Sequence, residues 1–230
     1  RRLSYGELDR LMDRVAASLQ RDGVQVQQAI AICALSSIEY VAVFMGALRA
    51  GVVVAPLAPS STPESLVSML EDCAAPLFFL DASVAKELTG VADRIAARRI
   101  ALDGSAAGEP FEAWLAAEGA KPEPVQLDPA WAFNIIYSSG TTGAPKGIVQ
   151  SIRMRFTHMG HYEGSPYDRD TVSMISTPLY SNTTLVAILP TLAQGGTSVL
   201  MEKFDVEKFL TLAEKHRATN AMLVPVQYRR

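Results

Sequence analysis

The sequence contains little cysteine. Only two cysteines, Cys33 and Cys73, occur in 230 residues, both in apolar surroundings and without CxxC or Cys/His spacing. Isolated thiols of this kind are typical of small buried side chains in a reducing compartment. We therefore predict no disulfide framework and no cysteine-based metal site, and we expect a cytoplasmic protein.

Uninterrupted apolar runs and clusters of positive charge are also missing. The longest apolar runs contain proline, glycine or a charged residue, which argues against a membrane span. We also expect no secretion, because the chain runs from Arg1 directly into a helical pattern. The net charge is −3 with both signs interspersed, so a nucleic-acid partner is not expected. The chain is globular in character, and its 49% of hydrophobic residues can form a sizeable core.

The first part of the chain alternates between helical and strand patterns. Ser4 and Glu7 form a capping-box pattern ahead of a helix that Asp22-Gly23 ends. Buried strands are predicted at 29–33, 52–55 and 77–80, with helices at 38–50 and 63–73 between them. Strands and helices that alternate at this interval indicate βαβ units. We therefore predict an α/β fold of mostly parallel sheets with helices on both faces, in a layered αβα arrangement.

The composition changes over residues 104–130. Glycine, alanine, glutamate and four prolines surround one short helical stretch at 111–117, so we interpret this segment as the loosest connection in the chain. We expect it to join two sub-layers of one domain portion that comprises residues 1–230.

The later part of the chain continues the alternation. Strands are predicted at 147–150, 172–176, 197–201 and 221–224. Helices are predicted at 151–162, from an N-cap at Asn182 or Thr183 to 192 with an interruption at Pro190, and after Asp205. Two histidines three apart, His158 and His161, could bind a metal from one helix. No third ligand is evident, so we predict no metal site.

The most informative stretch is Tyr137-Ser138-Ser139-Gly140-Thr141-Thr142-Gly143-Ala144-Pro145-Lys146-Gly147. It contains three glycines, four serine or threonine hydroxyls and one lysine, directly after the apolar run 131–136. Glycine lets the backbone approach a ligand closely, successive N–H groups can surround anion oxygens, and hydroxyls add donors. The pattern therefore predicts a phosphate-binding loop after a buried strand.

Two alternatives fit this stretch less well. An ordinary surface turn needs one or two special residues and not eight. A Walker P-loop ends in Gly-Lys-Ser/Thr, whereas here Pro145 precedes Lys146 and Gly147 follows it. The Walker pattern fails both on spacing and on the missing magnesium-binding hydroxyl.

Together with Ile148 and Val149, this stretch resembles the signature of the adenylate-forming superfamily. That superfamily contains acyl- and aryl-CoA synthetases, nonribosomal peptide adenylation domains and beetle luciferases. Residues 48–57 resemble a second, weaker signature of the same superfamily. The resemblance implies that residues 1–230 are the partial large N-terminal domain of an adenylate-forming enzyme, most like an acid–CoA ligase.

The resemblance also implies a reaction and its participants. A carboxylate attacks the α-phosphate of ATP, pyrophosphate leaves, and the thiol of CoA captures the acyl-adenylate. Lys146, Thr141 and Thr142 are then the expected catalytic residues, with Lys146 on the departing β- and γ-phosphates. The expected ATP-binding set is Ser138, Ser139, Gly140, Thr141, Thr142, Gly143 and Lys146.

Two further segments receive roles from the resemblance. Acid–CoA ligases often carry Pro-Leu-Phe-His or a near variant at the carboxylate pocket, and this chain has Tyr180 for the aromatic residue and Ser181 for the histidine. Tyr180, Ser181 and Thr183 are therefore the expected substrate residues, although the missing histidine weakens any inference about the acid. Lys203 matches a lysine that lies near the CoA path in such ligases.

Other parts of an adenylate-forming enzyme are not evident in this sequence. They are the acidic motif that holds magnesium, a ribose-binding aspartate, a hinge and a mobile C-terminal domain with a lysine for adenylation. We therefore expect a fragment of a longer enzyme that is inactive alone, with aromatic or fatty acids as the substrate class. The alternatives are an adenylation domain of a peptide synthetase and a non-catalytic nucleotide-binding module.

Overall fold

The computed structural model describes residues 1–138, 145–159 and 166–228. The chain divides into two compact units. The first comprises Arg1–Ala34 and Glu39–Ile152, and the second comprises Leu35–Ile38 and Arg153–Arg230. The segment 104–130 lies inside the first unit.

The first unit contains a seven-stranded sheet and the helices that cover it. Its strands are β1 (Ala29–Cys33), β2 (Val53–Pro56), β3 (Leu77–Leu80), β4 (Arg98–Ala101), β5 (Glu109–Pro110), β6 (Ala132–Ser138) and β7 (Lys146–Ser151). Its helices are α1 (Tyr5–Arg21), α2 (Ile38–Arg49), α3 (Pro63–Asp72), α4 (Ala82–Glu87) and α5 (Phe111–Trp114), with a 3-10 helix at Thr89–Arg94.

The strand order is β5-β4-β3-β1-β2-β6-β7. All neighbouring pairs are parallel except β6 and β7, which form an antiparallel hairpin at one edge. The predicted α/β fold with mostly parallel strands is confirmed. The sequence does not predict β4, α4 or the 3-10 helix, because these elements are short and carry mixed polar and apolar residues.

Helices pack on both faces of this sheet. On one face, Phe78 and Leu80 of β3 belong to a core cluster with Leu66 and Leu70 of α3. Phe79 points to the opposite face, since side chains alternate along a strand, and its ring meets Trp114 edge to face with centroids 5.0 Å apart. The predicted layered arrangement follows from this alternation.

The predicted caps of α1 and α3 and the predicted glycine after α2 are confirmed. In α1, the Ser4 hydroxyl accepts a hydrogen bond from the Glu7 N–H at 3.3 Å, and the Ser4 N–H donates to Glu7 Oε2 at 2.6 Å. Thr62 caps α3 by accepting from the Ser65 N–H at 3.2 Å. After α2, Gly51 adopts a φ of +70°, the left-handed conformation that glycine favours at a helix end.

The segment between α5 and β6 is held by α1. Residues 114–123, here called the strap, run along this helix, whose side chains bond to the strap's backbone. Arg14 Nε donates to the Ala116 carbonyl at 2.7 Å, and the Ala116 N–H donates to Ser18 Oγ at 2.7 Å. The Gln20 amide donates to the Glu123 carbonyl at 2.9 Å and accepts from the Glu123 N–H at 2.8 Å. The strap is therefore ordered by side-chain partners and not by a strand or a long helix, since the helix predicted at 111–117 spans only Phe111–Trp114.

The second unit contains a three-stranded parallel sheet in the order β10-β8-β9. Its elements are α6 (Ile152–His158), β8 (Val172–Ile175), α7 (Asn182–Ala193), β9 (Thr197–Leu200), α8 (Val206–His216), β10 (Asn220–Ala221) and α9 (Pro225–Tyr228). Throughout the parts of the chain that the structure describes, every helix is too short or too polar to cross a membrane.

Three predictions for this unit are wrong in detail. The strand predicted at 221–224 is limited to Asn220–Ala221, and α9 follows it. Helix α7 continues through Pro190, whose ring is buried near the helix end, so the predicted interruption is absent from this described helix. The N-cap of α7 is Ser181 and not the predicted Asn182 or Thr183.

Candidate functional site

The predicted phosphate loop joins the two strands of the β6–β7 hairpin. Ser138 and Lys146 are directly opposite each other and form the last pair of this antiparallel ladder. Since β6 runs parallel to β2, the loop leaves the sheet at the edge where the parallel strands have their carboxyl ends. Open α/β sheets bind ligands at that edge. Ser139, Gly140, Thr141, Thr142 and Gly143 of the predicted site lie outside the described residues.

Ser138 and Lys146 project from the same face of the hairpin. Directly opposed residues of an antiparallel pair share a face, and successive pairs alternate between the two faces. The preceding pair, Tyr137 and Gly147, therefore belongs to the other face. Ser138 and Lys146 are both exposed, so their hydroxyl and ammonium groups are accessible to a ligand from solution.

Tyr137 attaches the hairpin to α3. Its ring packs against the core cluster, and its hydroxyl donates to Asp72 Oδ2 at 2.6 Å, with the carbonyl oxygen of Met69 3.2 Å away. Burial raises the pKa of the Tyr137 phenol, and the hydrogen bond to Asp72 raises it further because it favours the protonated form. The phenol is thus a permanent donor near neutral pH.

Gly147 is needed for close packing at this point. A Cβ atom here would lie 3.0 Å from Ile135 Cγ2, 3.2 Å from Tyr137 Cε1 and 3.4 Å from Asp72 Oδ2. The last glycine of the signature therefore makes room for the tyrosine ring and the carboxylate. This role concerns side-chain packing and differs from the phosphate approach that the sequence pattern suggested.

The predicted substrate residues lie on or next to the turn at residues 178–181 that follows β8. We call it the stapled turn, because hydrogen bonds to the Pro178 carbonyl close it. The Ser181 N–H donates to the Pro178 carbonyl at 3.0 Å, which closes the turn just before α7. The buried Thr184 donates its hydroxyl toward the Pro178 carbonyl at 2.6 Å and lies 2.7 Å from Thr177 Oγ1. Tyr180, Ser181 and Thr183 are all partly exposed on this turn and on the first turn of α7.

Lys203 lies at the same edge of the three-stranded sheet as this turn. Strands β8 and β9 are parallel with Ile175 opposite Leu200, so the residues that follow them leave the sheet side by side. The Met201 N–H extends this pairing by donating to the Ile175 carbonyl at 2.9 Å. Lys203 is exposed two residues later. The structure thus brings Lys203 and the Tyr180 turn to one carboxyl edge.

Sequence reasoning missed the residues that shape these two edges. Asp72 bonds to Tyr137, which precedes the predicted Ser138. Thr177 and Thr184 hold the stapled turn, which carries two of the predicted substrate residues. The pair Thr177 and Thr184 could have been found, because a threonine in the first turn of a helix after a strand can bond back to the strand end. Asp72 has no such signal, since it is separated from Tyr137 by 65 residues.

Two other features of the described residues bear on the location of a site. A cavity of about 440 Å³ is lined by Pro166, Asp168, Asp170, Thr171, Thr219 and Asn220, at the amino edge of the three-stranded sheet, and holds none of the predicted site residues. Among the residues that the structure describes, no three histidine, cysteine, aspartate or glutamate side chains are grouped to hold a metal ion. The His158 side chain and His161 lie outside that part of the chain.

Comparison with known proteins relates all 230 residues of this chain to one enzyme family. The family model of the AMP-binding enzyme matches residues 1–230. The chain is 30% identical to 4-coumarate–CoA ligase 5 of Oryza sativa subsp. japonica, over 97% of this chain and 42% of the relative. It is 29% identical to indoleacetate–CoA ligase of Aromatoleum aromaticum, over 99% of this chain and 46% of that relative.

A solved structure supports the fold. The o-succinylbenzoate CoA synthetase of Bacillus subtilis, in complex with its acyl-adenylate intermediate, superposes with a TM-score of 0.81 at 23% identity, over all of this chain and 57% of that one. The chain spans less than half the length of the two CoA ligases named above.

Proposed function

The chain belongs to the AMP-binding enzyme family, and on that premise we propose that it is the nucleotide-binding N-terminal portion of an AMP-forming acid–CoA ligase. The relatives named above are CoA ligases for aromatic acids, which supports this class of reaction. The proposed substrate is an aromatic or fatty carboxylic acid, the nucleotide is ATP, and the acceptor is CoA. We place the enzyme in the cytoplasm, because Cys33 and Cys73 are both free thiols.

The observation that carries the proposal is the position of Lys146. The hairpin presents this lysine and Ser138 together at the carboxyl edge of a parallel sheet, on either side of a loop rich in glycine and hydroxyl groups. Backbone N–H groups, hydroxyls and one cation are a donor set that suits a triphosphate. A hydrogen bond to a charged oxygen contributes about 1.5–3 kcal/mol, so several such donors can hold the nucleotide.

The chemistry proposed for this donor set is the adenylation step. One carboxylate oxygen of the acid bonds to the α-phosphorus of ATP, and the bond from that phosphorus to the bridging oxygen of pyrophosphate breaks. Negative charge grows on the departing phosphates, where Lys146, Thr141 and Thr142 would stabilise it without reorganisation of solvent. In the second step the CoA sulfur bonds to the acyl carbon, AMP leaves and the thiol proton is lost.

Magnesium neutralises charge on the phosphates in reactions of this kind. Because the acidic motif that holds magnesium in adenylate-forming enzymes is not evident in this sequence, we propose that the magnesium ligands lie elsewhere in the complete enzyme. The ribose site and a second domain with an adenylating lysine are assigned to the same remainder. The 230-residue chain alone is then expected to be inactive.

Tyr180, Ser181 and Thr183 are proposed to contact the acid, and Lys203 to contact CoA. The stapled turn supports the first assignment, because Thr184 fixes the backbone from which Tyr180 and Ser181 project. The exposed position of Lys203 at the same edge supports the second. A Lys203→Ala variant should retain adenylation and slow only the transfer to CoA.

The central experiment uses the complete enzyme and Lys146→Ala. The assay is carboxylate-dependent exchange of labelled pyrophosphate into ATP, with 4-coumarate, indoleacetate, 3-hydroxybenzoate and a fatty acid as probes. Loss of one transition-state donor should lower the exchange rate by about 100-fold or more. The matched control is Lys215→Ala, an exposed lysine on α8 that should leave the rate unchanged.

Three outcomes would contradict the proposal or one of its parts. Full exchange activity in Lys146→Ala would show that the hairpin does not act on the triphosphate, as expected of a non-catalytic module. Transfer of the activated acid to a carrier protein and not to CoA would favour the peptide-synthetase alternative. Exchange activity in the 230-residue chain itself would contradict the expectation that it is inactive alone.

A further inference from the structure

A carboxylate on α3 lies at the base of the proposed phosphate-binding hairpin. Asp72 is the last residue of that helix, and its Oδ2 accepts the hydrogen bond from the Tyr137 hydroxyl at 2.6 Å. Tyr137 is opposite Gly147, and the next pair is Ser138 and Lys146. Asp72 therefore contacts the hairpin one pair away from the proposed phosphate ligands.

We propose that Asp72 is a positioning residue for Lys146: it holds Tyr137, and thereby fixes the pair of strands from which Lys146 reaches the triphosphate. The proposal rests on the proposed function, since it concerns the same donor set. It assigns to α3 a part in catalysis that neither the loop sequence nor the family match supplies.

The geometry of the hairpin explains why an anchor is needed here. Among the strands that the structure describes, β7 lies at the edge of the sheet and pairs only with β6. Four of its six residues are exposed, so it has little apolar packing to fix its orientation. Strand β6 in turn pairs with β2 in register at Val54 and Asn134, four residues before Ser138. Beyond Asn134, Ile135 and Tyr137 of β6 pack on the core cluster, and Tyr137 is the one next to the Ser138–Lys146 pair.

Tyr137, Asp72 and Gly147 pack closely against each other at this point. The Tyr137 ring packs on the core cluster that includes Met69 and Leu70 of α3, which sets the plane of the ring. Its hydroxyl then reaches Asp72 across the space that Gly147 leaves free. A phenol has one proton, and a hydrogen bond of this length to a carboxylate is charge-assisted and directional. The hydroxyl therefore limits how far the hairpin can rotate about β6.

A merely structural contact and a positioning contact differ in what they change. A structural contact alters the free energy of unfolding and leaves the turnover of the folded enzyme intact. A positioning contact alters an interaction made in the transition state, so it lowers kcat while the KM of the acid stays constant. It also loses its effect once the group that it positions has been removed.

The test measures pyrophosphate exchange by the complete enzyme with the best of the four acids named above. Asp72→Ala and Tyr137→Phe should each lower kcat by about tenfold, because a displaced catalytic group loses much of its transition-state interaction. The double variant should lose no more than either single variant. In the Lys146→Ala background, Asp72→Ala should cause no further loss.

Two controls accompany these variants. Asp72→Asn retains an acceptor oxygen and should restore kcat to within about twofold of the parent, because the phenol can still donate to it. Glu71→Ala removes an exposed acid that precedes Asp72 and points about 100° away around the helix, and it should not change kcat. Tyr137→Phe keeps the packed ring, so it tests the hydroxyl even where Asp72→Ala impairs folding.

The outcomes separate this proposal from the one on which it rests. If the parent enzyme shows no carboxylate-dependent exchange, or if Lys146→Ala keeps it, the proposed function fails and the role of Asp72 fails with it. If Lys146→Ala loses exchange while Asp72→Ala and Tyr137→Phe keep the parental kcat, only the positioning role is overturned. A lower thermal midpoint with unchanged kcat would also overturn it.

Discussion

The two sheets of this chain differ in how completely their elements are covered. Every residue of β1, β2 and β3 is buried. In the three-stranded sheet, each residue of β9 is at least partly exposed, and α8 has no buried residue. Both α1 and α8 nevertheless carry apolar side chains at helical spacing. An amphipathic pattern therefore indicates which face of a helix is apolar, but not whether that face is covered.

The two units also fix their candidate site residues in different ways. The hairpin of the first unit stands on an apolar core through Tyr137. The turn that carries Tyr180 in the second unit is held by threonine hydroxyls, and Ser173 and Thr191 form a further buried pair with their oxygens 2.7 Å apart. We expect the first site to depend on packing volume and the second on individual hydrogen bonds.

The largest expected effect is the loss of a core ring in the first unit. Phe79→Ala removes a fully buried side chain that packs on Trp114, and it should lower the free energy of unfolding by about 3–5 kcal/mol. Urea unfolding followed by tryptophan fluorescence measures it, because Trp114 and Trp131 both lie in the first unit. A loss below about 1 kcal/mol would mean that this core tolerates cavities far better than others do.

A smaller loss is expected from the second unit's hydroxyl staple. Thr184→Val keeps the shape of the side chain but leaves buried Thr177 and the Pro178 carbonyl without that partner, at a cost of about 1–3 kcal/mol. Unfolding followed by far-ultraviolet circular dichroism detects it. The exposed Thr211 of α8 provides the matched control, and equal effects of Thr211→Val and Thr184→Val would contradict the role of the staple.

Acid should weaken the first unit through Asp13. Burial alone would raise the pKa of this carboxyl, but hydrogen bonds from Lys121 and Arg49 outweigh burial and lower it. A lowered pKa stabilises the folded state above the unfolded value of about 3.9, and this contribution is lost as the pH falls through the folded-state pKa. The thermal midpoint should therefore decrease as the pH is lowered below about 4, and this decrease should be shallower in Asp13→Asn. A midpoint that rises between pH 5 and pH 3 would contradict this.

The smallest effect is expected on the uncovered helix face. The Leu210 side chain of α8 is 62% exposed, so Leu210→Ala in the 230-residue chain should change the free energy of unfolding by less than about 0.5 kcal/mol. The same substitution in a longer chain that covers α8 should cost more. A loss above about 2 kcal/mol in the present chain would erase the contrast between the two units.

The sequence predicted the elements whose signals are local. The α1 capping box, the glycine after α2 and the apolar runs of β1 and β3 each contain their own start or stop signal within a few residues. The Ser138–Lys146 hairpin was predictable for the same reason, because the glycine- and hydroxyl-rich stretch lies between two strand patterns.

Features that depend on distant partners could not be predicted. The strap has no periodicity, since its backbone bonds to α1 side chains about 100 residues earlier in the chain. Asp72 lies at the end of a helix like many exposed acids, and only the fold brings it to Tyr137. The early end of the last predicted strand likewise follows from pairing, because 222–224 are apolar but β10 pairs with β8 over Asn220 and Ala221.

The hydrogen bonds between α1 and the strap limit how this part of the sequence can change during evolution. Arg14, Ser18 and Gln20 recognise backbone atoms whose position depends on the course of the strap and not on its side chains. The side chains at Ala116 and Glu123 are thus free to drift, whereas the length of the strap between these two residues is fixed by the spacing of residues on the helix. In chimaeras assembled from homologues of this chain, α1 and the strap should therefore come from the same parent, although about 100 residues separate them in the sequence.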